Sequence, residues 1–212
     1  VYPIPCSNCI FDLDPRVSAM TNSINYLTLA LLVAGLFGLF LADSKKIMTI
    51  AFTVVALVVF SINIQFWTWG FALVKLLTFT MALWILNISP GEVIGSIFSG
   101  SRSGIVFRAA ALVFVLLFSI FSAPKLSEFL GMNLDQVYAS AFLLLGGLLQ
   151  LGISKNPFRA ILGLLSFFMG FEIVYGSVER ALLINGMLAA VVLLIAVIGS
   201  YLLNNQIVGE DQ

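Results

Sequence analysis

The sequence predicts an all-α, polytopic membrane protein with about seven transmembrane helices. Of the 212 residues, 61% are hydrophobic and only 9% are charged, which is more apolar surface than a soluble domain of this size can bury. Apolar stretches of the roughly 20 residues that a helix needs to cross a bilayer recur along the chain, separated by charged or proline-containing breaks. The predicted spans are residues 24–42, 47–65, 67–88, 106–123, 136–154, 157–177 and 182–203.

Residues 1–23 precede the first span and contain a Cys-x-x-Cys motif formed by Cys6 and Cys9. A disulfide in an oxidising compartment and two idle thiols are both compatible with this motif. Zinc would need two more good ligands, for which Asp12 and Asp14 are weak substitutes, so we expect no metal site.

Residues 24–132 form a predicted front section of four helices. The second and third spans are joined so closely that they predict a helical hairpin. Trp69 and Trp84 mark the two ends of the third span, about 22 Å apart by helical rise, which matches two membrane interfaces. The fourth span is expected to end at the break formed by Pro124 and Lys125.

The connection between the third and fourth spans begins with Ser89-Pro90-Gly91-Glu92. A cap residue, a proline at the first helical position and a glutamate three residues on form a capping box. This pattern predicts a short helix on the membrane surface near residues 90–98, and a partly ordered loop is an equally good interpretation.

Residues 133–212 form a predicted section of three helices. Small residues in these spans, and in the first one, are spaced so that neighbouring helices can approach closely. We interpret them as packing residues: Gly35, Gly38, Gly146, Gly147, Gly163 and Gly170.

Basic residues predict the orientation of the chain in the membrane. With seven spans, six lysines and arginines lie on one side and three on the other, and the richer side is expected to be cytoplasmic. The N-terminus then lies outside and the C-terminus in the cytoplasm. The six are Lys45, Lys46, Arg102, Arg108, Lys155 and Arg159, and the three are Arg16, Lys125 and Arg180.

Charge and composition exclude several classes of function. The net charge is zero, so the chain has no basic field for nucleic acid. It contains no histidine, which argues against haem or chlorophyll ligation and against an imidazole proton shuttle. No nucleophile with its base, phosphate-binding loop or metal-ligand set is visible, so we expect no cofactor on this chain and no catalysis by it alone.

Two ionisable residues, Lys75 and Glu172, stand alone inside long apolar stretches. A charge in hydrocarbon is costly unless it is paired or hydrated, so each marks a candidate functional site. Both lie in the outer halves of their spans, at depths that would let them meet. Three interpretations are open: a static ion pair, pairing of each with a partner subunit, or stations in a proton path. Polar residues nearby that could extend a hydrated route are Asn63, Gln65, Thr78, Ser166, Tyr175 and Asn185.

The C-terminal section resembles a known three-helix unit. The segment from Gly147 to Leu203, with Lys155-Asn156-Pro157 at its first turn, resembles the three-helix unit of complex I chain 4L and of the C subunit of Mrp-type sodium/proton antiporters. In those proteins the second helix begins on the cytoplasmic side with a basic residue followed by Asn.

A closer resemblance is to component E of hydrogenase-4. That family has Asn-x-x-Arg-x-Ile-x-Gly at the join, and the counterparts here are Asn156, Arg159, Ile161 and Gly163. It also has a lysine within the third helix, to which Lys75 in Ala-Leu-Val-Lys-Leu-Leu is similar. The resemblance covers roughly residues 20–203.

One position departs from the pattern. The family's glutamate in this helix would fall near Leu165 or Phe168, neither of which carries a proton, and Glu172 comes about one turn after Phe168. A shift of four residues keeps nearly the same helix face, so the carboxylate can serve from a different depth. Loss of the proton role is the alternative.

The resemblance implies a subunit in the membrane arm of a multisubunit, redox-driven or antiporter-type ion-translocating complex in a prokaryotic inner membrane. Its partners would be other membrane subunits, including antiporter-like ones, and lipids; quinone, iron–sulfur and nickel chemistry would belong to those partners. Lys155, Asn156 and Arg159 would form a cytoplasmic-side motif, and Lys75 and Glu172 a proton path. The alternative is a scaffold subunit in which the pair only locks helices together.

Overall fold

The computed structural model describes residues 15–42, 44–64, 69–88, 102–154, 156–178 and 182–210, and these residues are almost entirely helical. Each predicted span coincides with one helix, which confirms the all-α class. The helices are α1 (Pro15–Leu41), α2 (Lys45–Ile64), α3 (Trp69–Ile88), α4 (Arg102–Leu130), α5 (Leu134–Ile153), α6 (Pro157–Val178) and α7 (Leu182–Glu210).

Five of these helices, α2, α4, α5, α6 and α7, contain segments long and apolar enough to cross a membrane. In α1 and α3 the described apolar segments are shorter, Leu27–Leu41 and Ala72–Ile88. The chain is therefore a helical protein with several membrane-spanning candidates, consistent with an integral membrane protein. The count of seven spans stays a prediction.

The predicted end of the fourth span at Pro124 is wrong, because α4 continues through the proline to Leu130. A proline inside a helix removes only one backbone donor, and apolar helices tolerate this loss when nearby groups compensate. The helix instead ends at Gly131, whose φ of 63° is the left-handed conformation that glycine adopts at helix C-termini.

Helices α5 and α6 form the centre of the bundle and make its most extensive helix–helix contact. They pack antiparallel and so closely that a Cβ atom on Gly147 would lie 2.6 Å from the Gly163 carbonyl oxygen. Farther along the same interface, a Cβ on Gly170 would lie 2.9 Å from the Ser140 carbonyl oxygen. The predicted packing role of these glycines is confirmed, since any side chain there would force the backbones apart.

The remaining helices surround this centre. Helix α1 packs mainly on α2, α4 on α5, and α3 on α7 and α2, while α7 also contacts α6. The outer face of α3 is an apolar stripe at helical spacing, as expected for a surface that meets lipid or another membrane protein. The stripe consists of Leu73, Leu77, Met81, Trp84 and Ile88, all exposed.

Several predictions fall on residues outside the described ranges. They are the Cys6 and Cys9 pair, the surface helix near residues 90–98, Gln65 and Lys155.

Candidate functional site

Helices α3 and α6 bring Lys75 and Glu172 to the same depth. Lys75 lies six residues after the start of α3 at Trp69, and Glu172 lies six residues before the end of α6 at Val178. At 1.5 Å per residue, each is about 9 Å from its helix end.

The two side chains meet in the interior of the bundle. The Lys75 Nζ atom lies 3.5 Å from a Glu172 carboxylate oxygen, with only 12% and 5% of the respective side chains exposed. The predicted meeting of these two charges is confirmed. At this length the contact is an ion pair without the tight geometry of a short charge-assisted hydrogen bond.

The ion pair joins two helices that have little other contact among the described residues. Among the described residues, α3 makes its substantial contacts with α7 and α2, and α6 with α5, α7 and α2. Long side chains, rather than close backbone packing, therefore connect α3 to α6.

Two of the hydroxyl groups that could extend a hydrated route instead donate hydrogen bonds to backbone carbonyls of their own helices. Thr78 Oγ1 donates to the Val74 carbonyl at 2.8 Å, and Ser166 Oγ donates to the Leu162 carbonyl at 2.9 Å. Such back-bonding to the carbonyl four residues earlier is how helices commonly satisfy buried hydroxyls. Their presence is thus explained without a role in a hydrated route.

Asn185 differs from these hydroxyls. Its Nδ2 and Oδ1 atoms are buried, and neither finds a hydrogen-bond partner among the described residues. Asn185 lies three residues into α7, the helix that packs on both α3 and α6. By helical rise it is about 4.5 Å from the start of α7, nearer the surface than the ion pair. Buried amide groups of this kind are typical sites for an ordered water.

A second polar cluster lies at the opposite ends of the helices, around the start of α6. The Asn156 Oδ1 atom accepts a hydrogen bond from the Phe158 backbone N–H at 3.0 Å. With Pro157 as the first helical residue, this is a side-chain N-cap. The Asn of the predicted cytoplasmic-side motif therefore starts α6.

Arg159 fastens α6 to two other helices. Its guanidinium donates to the carbonyl of Ala42, which directly follows α1, and its own backbone carbonyl accepts from Gln150 Nε2 of α5 at 3.2 Å. Its side chain is buried in the bundle, with Arg159 only 7% exposed overall. Because the guanidinium is an always-charged multiple donor, it suits a position where several elements meet.

Arg108 of α4 also belongs to this cluster, which its sequence position does not predict. Arg108 is 8% exposed and lines the same small cavity as Gln150 and Arg159. The sequence places it only among the basic residues of the cytoplasmic side, although it falls inside the predicted fourth span. A basic residue within an apolar span was the available signal. Lys45 adds a third cation, with its Nζ 5.4 Å from the centre of the Phe158 ring.

The two polar sites are separate along α6. Glu172 lies thirteen positions after Arg159, which is about 20 Å along the helix. Ser166 is the buried polar side chain between them on this helix. Within the part of the chain that the structure describes, no three acidic or cysteine residues come together as a metal site would require.

Comparisons with family models, with curated proteins and with solved structures find no match to this chain. Interpretation of both polar sites depends on their geometry and on the sequence motifs.

Proposed function

We propose that this chain is a membrane-arm subunit of a multisubunit, ion-translocating redox or antiporter complex and contributes Lys75 and Glu172 to a proton path. The observation that carries the proposal is the 3.5 Å contact between an amine and a carboxylate in the interior of an apolar helix bundle. Ionisable residues inside membrane segments are rare and mark proton relays and ion pathways.

The pair has the chemistry of a proton station. A proton arriving at Glu172 would neutralise the carboxylate and weaken its attraction for the Lys75 ammonium, and departure of the proton would restore the pair. Lys75 thus modulates the proton affinity of Glu172, while Glu172 loads and releases. Asn185, with its unpartnered amide atoms among the described residues, is suited to hold water between the pair and the nearer membrane surface.

The resemblance to hydrogenase-4 component E supports the same proposal, since Lys75 matches that family's lysine in the third helix. Redox cofactors would then be held by partner subunits. The proposed setting is a prokaryotic inner membrane, with the N-terminus outside and the C-terminus in the cytoplasm.

Glu172→Gln tests the proton role, because it keeps the shape of the side chain and removes the titrating group. We expect the variant to assemble with its partner subunits and to lose most coupled proton transport, measured by quenching of a pH-sensitive dye in membrane vesicles. Glu128→Gln, the same change at an exposed position of α4, is the matched control and should transport normally. Normal transport by an assembled Glu172→Gln complex would contradict the proton role.

A scaffold subunit is the second candidate, and a separate observation favours it. Because α3 and α6 have little direct backbone contact, the ion pair is well placed to hold α3 at its position in the bundle. A buried ion pair can often be replaced by apolar residues of similar volume without loss of stability.

The double variant Lys75→Met/Glu172→Leu separates the two candidates. A scaffold role predicts normal assembly and full transport in this variant. A proton role predicts normal assembly with transport lost.

A further inference from the structure

Asn185 lies on the side of α7 that faces the helix carrying Glu172. A Cβ atom on Gly199 of α7 would lie 2.6 Å from the Ile161 Cδ1 atom of α6, so these two residues face each other. Glu172 comes eleven residues after Ile161, which is three turns of α6. Asn185 comes fourteen residues before Gly199, which is nearly four turns of α7. Glu172 and Asn185 are therefore both on the sides of their helices that meet.

The same contact gives the relative depth of the two residues. Ile161 lies seventeen residues before the end of α6 at Val178, and Gly199 lies seventeen residues after the start of α7 at Leu182. The two helices thus run antiparallel and in register. Counted back from this contact, Asn185 lies about 4.5 Å, or roughly one turn, beyond Glu172 toward the connection between the helices. We call that end of the bundle the α6–α7 end.

The amide of Asn185 is a site for water. Its Nδ2 and Oδ1 atoms are buried and have no hydrogen-bond partner in the part of the chain that the structure describes. An amide offers two donors and one acceptor, and a buried amide without protein partners commonly binds an ordered water. A water held there lies about one turn from the ion pair, on its α6–α7 side.

In the opposite direction from the pair, the same helix faces are apolar. Water needs polar partners, and an apolar site stays dry. Thr78 and Ser166 also lie in this direction, but their hydroxyls donate to carbonyls of their own helices. The apolar residues follow Lys75, Glu172 or Asn185 at spacings of four, seven or eleven, which keep a helix face, and all are buried. They are Phe79 and Leu86 of α3, Leu165 of α6, and Val192 and Ala196 of α7.

We propose that the Lys75–Glu172 pair exchanges protons with the α6–α7 end of the bundle only, through a water bound by Asn185. The apolar residues between α3, α6 and α7 separate the pair from the opposite end. In the proposed orientation the α6–α7 end faces the outside.

Asn185 is a positioning residue in this route and does not itself titrate. When Glu172 is loaded, the bound water gives a proton to a carboxylate oxygen and takes its replacement from water at the α6–α7 end. On release both transfers run in reverse. No electrons move, and each proton leaving one oxygen arrives at another.

Access of silver ions to engineered cysteines tests the one-sided route without a transport measurement. Silver binds thiolates and reaches them through water. Each variant is made in the full chain with Cys6→Ser and Cys9→Ser, and sealed membrane vesicles of both orientations are treated with silver. Thiols left unreacted are then labelled with a fluorescent maleimide in sodium dodecyl sulfate.

We expect silver to abolish labelling of Asn185→Cys when it is added at the α6–α7 end and to have no effect from the opposite end. Ala196→Cys should keep its full labelling from either side, because it lies in the dry stretch. Ala189→Cys, one turn farther along α7 from Asn185, keeps the asparagine. It should lose labelling from the α6–α7 end even if Asn185→Cys fails to fold.

Met187→Cys is the matched control for depth. It lies between the other two positions along α7 but is 62% exposed on the outer surface of the bundle, where lipid excludes silver ions, so it should stay labelled. Full labelling of both Asn185→Cys and Ala189→Cys would overturn the proposal. Loss of labelling of Ala196→Cys, or equal loss at Met187→Cys, would also overturn it.

The one-sided route rests on the proposed proton role, and the two can fail separately. Silver access from the α6–α7 end alone, together with normal transport by Glu172→Gln, would support the water site and contradict the proton role. Silver access from the opposite end, together with transport lost in Glu172→Gln, would overturn the one-sided route and support the proton role.

Discussion

Helix α6 is held by two neighbours in opposite ways. Against α5 the backbones touch through glycines, with Gly147 facing Gly163 at a distance that excludes even a methyl group. Toward α3 the connection described by the structure is a 3.5 Å ion pair between long side chains. The same helix therefore has one face that packs backbone to backbone against its neighbour and one face that carries a buried ion pair.

The faces of α6 toward α5 and toward α3 therefore differ in what they can do. A close-packed interface resists any change of separation, because every atom in it has close neighbours. An ion pair between helices with little backbone contact can respond to protonation without disturbing that packing. A close-packed α5–α6 centre carrying a buried ion pair on its other side suits a proton station, and it also suits a scaffold in which the pair adds to the packing of α3 on α7 and α2.

Glu172→Leu should produce the largest loss of stability, because it leaves the Lys75 charge buried without its partner. We expect a cost of about 3–5 kcal/mol in the free energy of unfolding, as found when one member of a buried pair is removed. Denaturation by sodium dodecyl sulfate in mixed micelles measures it. Glu128→Leu, at an exposed site, should change stability by less than about 0.5 kcal/mol.

The double variant makes this prediction specific. Lys75→Met/Glu172→Leu should recover most of the stability lost in Glu172→Leu, since both charges are gone. A double variant as unstable as the single one would mean that the cost comes from altered packing around Glu172 and that the two charges are not coupled.

Gly147→Ala should cause the next largest loss of stability, because it changes the close-packed interface between α5 and α6. The added Cβ would lie 2.6 Å from both the Gly163 carbonyl oxygen and the Phe167 backbone nitrogen, so α5 and α6 must separate. We expect a loss of about 1–3 kcal/mol, typical of overpacking a tight interface. Gly152→Ala is the matched control in the same helix, because its Cβ would meet nothing within 4 Å. Equal stability of the two variants would show that α5 and α6 are not closely packed.

Ser166→Ala should have the smallest effect. The hydroxyl is buried but donates only to the Leu162 carbonyl of its own helix, so its removal should change the free energy of unfolding by less than about 1 kcal/mol. Transport by the assembled complex should be unaltered in the dye-quenching assay. A loss of transport would place Ser166 in the proton path, between the ion pair and the polar cluster around the start of α6.

Much of the arrangement followed from local properties of the sequence. Apolar stretches located all seven helices, and helical rise placed Lys75 and Glu172 at matching depths. The misplaced end of α4 has a local cause as well. The sequence suggests a helix end at Pro124. The helix tolerates the one missing backbone N–H donor and ends instead at Gly131.

The sequence by itself determined the helical class, the order of the helices and which residues lie at which depth. These features depend on hydrophobic patterning and on the rise per residue, which are properties of a single helix. Only the tertiary structure decided that Lys75 meets Glu172 across helices with little backbone contact, and that Arg108 joins Arg159 at one cavity. Those contacts depend on which non-consecutive helices become neighbours. That choice is made by packing over the whole bundle, above all by the close approach of α5 and α6, and the spacing of residues within one span does not specify it.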